Sequence, residues 1–573
     1  MVRVMLATLL LLFSFAAAEP GQQARRGRRF VDYLNPHLLD GNKNSDDAPP
    51  DVQELFLEQR LDHFAQSDST ELPIPTFRQR YFYSDRYVRA SSDDRGGSPS
   101  PSSYAFLCMG GEGPALTKHV LVDSVHCSGD MLEMASILHN EHGFDVHLYA
   151  LEHRYYGQSY PQFSDGSSPV SNANLRYLSS RQALGDMAHF VSTVIHGGGS
   201  SFSSNVKVVT FGGSYPGMIS AWSRLKYPHL IFASVSNSSP VQAQLDFPEY
   251  NDRVAYDLKD EAIGGSDACF DIFSSGHAEL SAMVSADAGD DDGRQKVAEL
   301  FNICGGAEAL ANPMNANAFL GDGVVFVPAQ SNDPSCVDRI FNIEHLCASL
   351  IATKEITGSN VEALAAIAKV QRNVGDEGDS KENDNCVEVD WEQTIAYLSS
   401  DEAMEEGTRS WLWQTCTEFG FYQTCEENSD CPYGKGHHQL SMDLEICERV
   451  FGVAKNSVWR NVQQSNEQYG GWNIDSKRIL FVNGEVDPWS MLSVDLDHGR
   501  CAELPTIWVE GASHHFWTHQ VLESDGDNIV EARKAIYQQI IGWLGLEDEL
   551  DSDSLSRVSN LRSKIAVSAQ ERR

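Results

Sequence analysis

Short apolar runs alternate with amphipathic stretches through the first half of the chain. The apolar runs lie at 104–109, 146–151, 206–211 and 231–235, each short enough for a buried strand. Between them, 131–138, 183–194 and 218–226 carry apolar residues at helical spacing. Strand–helix alternation of this kind predicts a parallel sheet wrapped by helices. After Pro240 the rhythm stops, and residues 241–474 are rich in helix formers, acidic clusters and cysteines. Strand patterning resumes at 478–482 and 506–509, and a closing amphipathic helix places Ile529, Ile536, Ile540, Trp543 and Leu544 on one face. The pattern therefore predicts an α/β core in two parts, 51–240 and 475–546, split by a helical insertion at 241–474.

The ends read differently. Arg3 precedes an apolar run at 4–15 and then Ala16, Ala17 and Ala18, the layout of a signal peptide at 1–18. Residues 19–50 and 547–573 are polar and patternless, as flexible ends are. After the leader no apolar run reaches the roughly 18 residues a membrane span needs. The expected home is the secretory pathway, ending in a lysosome or vacuole or outside the cell.

Composition narrows the classes. Among 573 residues, 41% are hydrophobic and 22% charged, which leaves room for a sizeable core. Acidic residues outnumber basic ones 81 to 43, and a net charge of −38 repels phosphate backbones, so nucleic acid is not an expected partner. Twelve cysteines in an exported chain predict disulfides, and nine of them fall between Cys269 and Cys447. Cys108, inside an apolar run, is expected as a buried free thiol. No cysteine pair has zinc spacing with histidines, and neither metal nor cofactor is expected. The one sequon, Asn237-Ser238-Ser239, abuts a strand and is expected to stay unmodified.

The candidate chemistry starts at the string NVKVVTFGGSYPGM, where a β-branched strand runs through Gly212-Gly213 into Ser214 and then a helix. Small residues let the chain turn sharply and lift a serine hydroxyl above the sheet. The helix N-terminus beyond it offers unpaired N–H groups where an oxyanion would form. A serine needs a base and an acid, and both follow strands in the order hydrolases of this type use. Asp487 follows RILFVNG, with Glu485 as a competing acid. His514 follows TIWVEGAS, with His515 as the second choice of base. The Gly-rich loop from Cys108 to Pro114 is the candidate for a second oxyanion donor.

These motifs resemble the serine peptidase family that includes lysosomal prolylcarboxypeptidase, dipeptidyl-peptidase II and thymus-specific serine protease. The matching strings are QRLDHF (59–64), FRQRYFY (77–83), GGEGP (110–114), EHRYYGQS (152–159), LRYLSSRQALGDM (175–187), GGSYPG (212–217), WQTCTEFGFYQT (413–424), NGEVDPWS (483–490) and GASHH (511–515). The resemblance implies an α/β-hydrolase fold with an inserted, disulfide-bonded helical cap. It also implies a triad of Ser214, Asp487 and His514 and an oxyanion hole from the Tyr215 N–H and the Gly111 region. Met218 and Trp489 would line a proline pocket, and Cys416 would pair with Cys447. Two positions depart from the family pattern: Pro216 stands where a second glycine is usual, and Phe516-Trp517 stand where an acidic residue is usual.

The implied activity is exopeptidase cleavage next to proline, on peptide substrates containing proline, with a homodimer left open. Release of a C-terminal residue needs a partner for a carboxylate, whereas release of an N-terminal X-Pro dipeptide needs an acid such as Glu112 for an amine. A catalytically silent binding module and an esterase or lipase are the competing classes.

Overall fold

The structure is a computed structural model. It describes residues 51–65, 75–89, 103–197, 206–285, 291–334, 340, 342–373, 386–404, 407–495 and 504–546. The expected signal peptide 1–18, the end segments 19–50 and 547–573, and Cys336 and Cys501 lie outside the described residues.

Among the described residues ten strands are defined: β1 (Val52–Arg60), β2 (Thr76–Tyr87), β3 (Ser103–Met109), β4 (Asp145–Leu151), β5 (Lys207–Gly213), β6 (Ile231–Asn237), β7 (Gln244–Asp246), β8 (Gly420–Tyr422), β9 (Ile479–Gly484) and β10 (Thr506–Val509). Eight form one sheet in the order β1-β2-β4-β3-β5-β6-β9-β10, while β7 and β8 pair apart from it. From β4 to β10 every neighbouring pair is parallel. The hairpin β1–β2 and its junction with β4 are antiparallel.

The alternation along β3 shows why the sheet is covered on both faces. Phe106 and Cys108 point into one apolar layer, where they meet Ile529, Ile536 and Ile540 of the closing helix Asp527–Leu544. Ala105, Leu107 and Met109 point into the other, with Leu184, Met187, Met218, Ile219 and Trp222 from the helices Ser180–Phe190 and Tyr215–Lys226. Trp543, expected on the buried face, is only partly buried at its edge. At about 25 cal/mol per Å² of apolar surface removed from water, such two-sided burial is the main force holding the sheet.

Between β6 and β9 the helices Asp267–Val284, Ile343–Thr357 and Asn360–Asn373 surround a separate cluster that includes Phe273, Leu280, Leu346, Leu350 and Leu364. Disulfides Cys269–Cys347, Cys304–Cys386, Cys416–Cys447 and Cys425–Cys431 staple this stretch, so the pairing implied for Cys416 holds. Cys108 is not a free thiol: it is bonded to Cys127. The apolar run hid this, because the partner sits on a turn that folds back onto the same core layer. Among the described residues no helix is long and apolar enough to cross a membrane.

Candidate active site

Ser214 sits between the end of β5 and the helix Tyr215–Lys226, with φ 60° and ψ −133°. A non-glycine residue held there stores about 1–3 kcal/mol of strain, a recurrent mark of functional turns. The surroundings hold the turn in place. Ser214 N–H donates to Asn237 O (2.9 Å), and Met218 N–H donates to Ser214 O (3.0 Å). A side chain at Gly213 has no room, because a Cβ there would lie 2.8 Å from the His515 ring.

Beneath the turn, Asn237 is fully buried. Its Nδ2 donates to Asp130 Oδ2 (2.9 Å) and Gly212 O (3.2 Å), and its Oδ1 accepts from Trp517 Nε1 (2.7 Å). The unusual Trp517 is thus a buried strut under the elbow. Burial pushes the Asp130 carboxyl up to about 6.

Asp487 follows β9 and caps the short turn Pro488–Leu492, accepting from Trp489 N–H at 3.0 Å. His514 follows β10, and its Nδ1 lies 2.9 Å from Asp487 Oδ1, both side chains buried. This approach is off the hydrogen-bond axis, and neither imidazole nitrogen has an aligned partner among the described residues. The competing acid faces elsewhere: Glu485 Oε2 accepts from Gly511 N–H (2.9 Å) and so ties down the turn after β10. His515 packs against His514 at 4.6 Å between centroids with the rings tilted by 50°, and its Nδ1 meets Thr518 Oγ1 at 3.1 Å. Its N–H donates to Ser238 Oγ (2.8 Å), which seats the histidine loop over the elbow.

On the other side of Ser214, the Gly-rich loop packs on the elbow helix. Any side chain at Gly111 would collide with the Pro216 ring, so this glycine and the unusual proline fit each other. A cavity here is lined by Gly111, Glu112, Glu152, Gly213, Pro216 and His515. Part of Glu112 remains accessible, but its Oε2 is buried, and desolvation pushes its pKa up to about 7.

Met218 is fully buried, and Trp489 stands nearby in the same apolar cluster. Around the Trp489 ring are Phe247 at 5.7 Å, Tyr250 at 5.4 Å and Phe421 at 5.4 Å between centroids. The sequence pattern did not single out these three aromatics, nor Gln330. Gln330 Oε1 accepts from Trp489 Nε1 (3.0 Å) and Tyr250 Oη (3.0 Å), and its backbone O accepts from His514 N–H (3.2 Å). One glutamine thus ties the aromatic wall to the histidine loop. No local signal marks it, since its role exists only after distant segments meet.

The strand order, the strained serine turn and the acid and histidine on the loops after β9 and β10 define an α/β-hydrolase. The sequence profile of the family described as serine carboxypeptidase S28 matches residues 59–536, and the chain belongs to that family. It is 33% identical over 551 residues to thymus-specific serine protease of Mus musculus, covering 94% of this chain and 97% of that protein. To thymus-specific serine protease of Homo sapiens it is 34% identical over 501 residues, covering 86% and 87%. Lysosomal Pro-X carboxypeptidase of Homo sapiens is 25% identical over 560 residues, covering 94% and 97%. The protein is therefore a serine-type peptidase.

Proposed function

We propose that this peptidase is an exopeptidase acting next to proline, with Ser214 as nucleophile, His514 as base and Asp487 as the acid that orients it. The carrying observation is the 2.9 Å approach of His514 Nδ1 to Asp487 Oδ1. Ser214 Oγ bonds to the prolyl carbonyl carbon while its proton passes to His514 Nε2. The same proton then goes to the leaving amine as the peptide bond breaks, and water repeats the sequence to free the acyl group. The Tyr215 and Gly111 N–H groups receive the oxyanion. In this reading 241–474 is the cap and 51–240 with 475–546 the hydrolase core, working in a lysosome, vacuole or outside the cell.

Proline offers no N–H to read, so selection must come from fit to an apolar slot. Met218, Trp489, Phe247 and Phe421 supply such walls. The direction of attack turns on Glu112. An amine anchor must be ionised, yet burial keeps this carboxyl neutral below about pH 7. A neutral carboxyl can instead donate its O–H to a terminal carboxylate, which favours release of the residue after proline at acidic pH. The partial identity to a Pro-X carboxypeptidase supports the same choice.

The test is cleavage of one proline peptide, blocked at either end in turn, with products identified by mass spectrometry. N-terminal blocking should leave cleavage at pH 5 intact, and Glu112→Gln, which mimics the neutral acid, should retain it. Cleavage that needs a free N-terminus and collapses in Glu112→Gln would reverse the direction.

A further inference from the structure

The residue after the proposed nucleophile is tethered by its side chain in a way the reaction scheme does not require. Tyr215 is fully buried at the first position of the elbow helix. Its hydroxyl lies 3.0 Å from His153 Nε2 and accepts from Gln414 Nε2 at 2.8 Å. Gln414 Oε1 in turn accepts from Tyr156 Oη at 2.7 Å, and His153 Nδ1 lies 2.7 Å from Arg154 O. A backbone carbonyl can only accept, so His153 carries its proton on Nδ1 and its Nε2 is an acceptor. That fixes every direction in the chain: Tyr156 donates to Gln414, Gln414 to Tyr215, Tyr215 to His153, and His153 to the backbone.

His153 must be neutral for this order to hold. Burial pushes its pKa down to about 4, against the hydrogen bond to Arg154 O and the charge of Asp186, with the Arg154 guanidinium assisting. Tyr215 itself faces Glu418, Glu112 and Tyr469. The ring is further wedged by Trp411 at 5.6 Å and Phe419 at 5.5 Å between centroids. Both come from the segment between β6 and β9, as does Gln414.

We infer that Gln414 and His153 are positioning residues for the oxyanion hole: by gripping the Tyr215 hydroxyl they aim the Tyr215 N–H at the oxygen of the reacting carbonyl. The segment between β6 and β9 then contributes to the chemical step itself as well as to covering the site. A serine hydrolase gains most from donors that need no reorganisation as charge develops, and a ring locked at both ends supplies that rigidity. This inference rests on Ser214 as nucleophile.

Tyr215→Phe keeps the ring and its packing but removes the grip, and Gln414→Leu removes it from the other end. The expected result for each is a kcat lower by roughly 10- to 100-fold, with KM within about 2-fold of the parent. Binding of a peptidyl-prolinal, whose aldehyde forms a tetrahedral adduct with the serine, should weaken by the same factor as kcat. The double variant should be no worse than the poorer single one, because both cut one chain. If Tyr215→Phe keeps kcat within about 2-fold, or loses only KM, the inference fails, whatever becomes of the folding of Gln414→Leu. Ser214→Ala measured alongside separates the cases: its inactivity with an unaffected Tyr215→Phe leaves the nucleophile standing and removes only the tether.

Discussion

His438 and His514 are both buried and both meet carboxylates, but their ring nitrogens are engaged differently. His438, in the segment between β6 and β9, has Asp322 Oδ1 at 2.6 Å on Nδ1 and Asp443 Oδ2 at 3.0 Å on Nε2. Both acids favour the charged ring and outweigh its desolvation, so its pKa lies well above the ordinary imidazole value. His514 has a single carboxylate near one nitrogen, while its Nε2 has no hydrogen-bond partner among the described residues. By residue type the first cluster looks richer in catalytic groups. A base, however, must have a nitrogen left to take a proton, and His438 has already used both. Here the histidine with both nitrogens engaged ties a cluster together, whereas the proposed base keeps Nε2 open to take a proton.

Three variants sharpen that contrast. Asp487→Asn should have the largest effect, lowering kcat by roughly ten-thousand-fold, because the imidazole loses the partner that fixes its tautomer. Its melting temperature should stay within a few degrees of the parent, as only one buried partner changes. An equal loss of stability and activity would make Asp487 a structural residue.

His438→Asn should do the reverse. Removing one member of a buried ionic cluster costs about 3 kcal/mol, read in chemical unfolding, while kcat per folded molecule stays unchanged. The pH dependence carries a definite sign. A histidine with a raised native pKa contributes fully below the ordinary imidazole range and loses that contribution as pH rises through its native value. The buried carboxyls act in the same direction. Glu112 and Glu418, both pushed to about 7 by burial, hold protons in the native state that the unfolded chain releases from about pH 4.5 upward. His153 and His277, pushed down to about 4 by burial, act the other way. The comparison therefore isolates His438: between pH 5 and pH 8 the parent should lose more stability, or gain less, than His438→Asn. An equal change in the two proteins would contradict the raised pKa of His438.

Gln330→Leu should have the smallest effect, roughly a 10-fold loss in kcat/KM on proline substrates, since it frees the Trp489 ring and one bond of the histidine loop without removing a reacting group. A loss equal to that of Asp487→Asn would mean the loop cannot form without it.

The sheet from β3 onward was legible because its strands are unbroken apolar runs, a consequence of burial on both faces. The hairpin β1–β2 was not, because its buried positions are partly polar. Arg80 is buried there, donating to Glu152 Oε1 (2.5 Å) and Leu116 O (2.7 Å), so the strand reads as charged. The positions of Ser214, Asp487 and His514 just past β5, β9 and β10 were legible, because a local string carries the signal at each strand end. Gln330, Gln414 and the Tyr215 tether were not, since each acts through residues far away in the chain. Cys108 misled for the same reason: its apolar neighbours were visible and its partner was not.

Labelling with a fluorophosphonate, followed by mass-spectrometric location of the adduct, tests the central claim most directly. A single phosphonyl group should be found on Ser214, and His514→Asn should suppress its formation. A label on another residue, or labelling that persists in Ser214→Ala, would contradict the account.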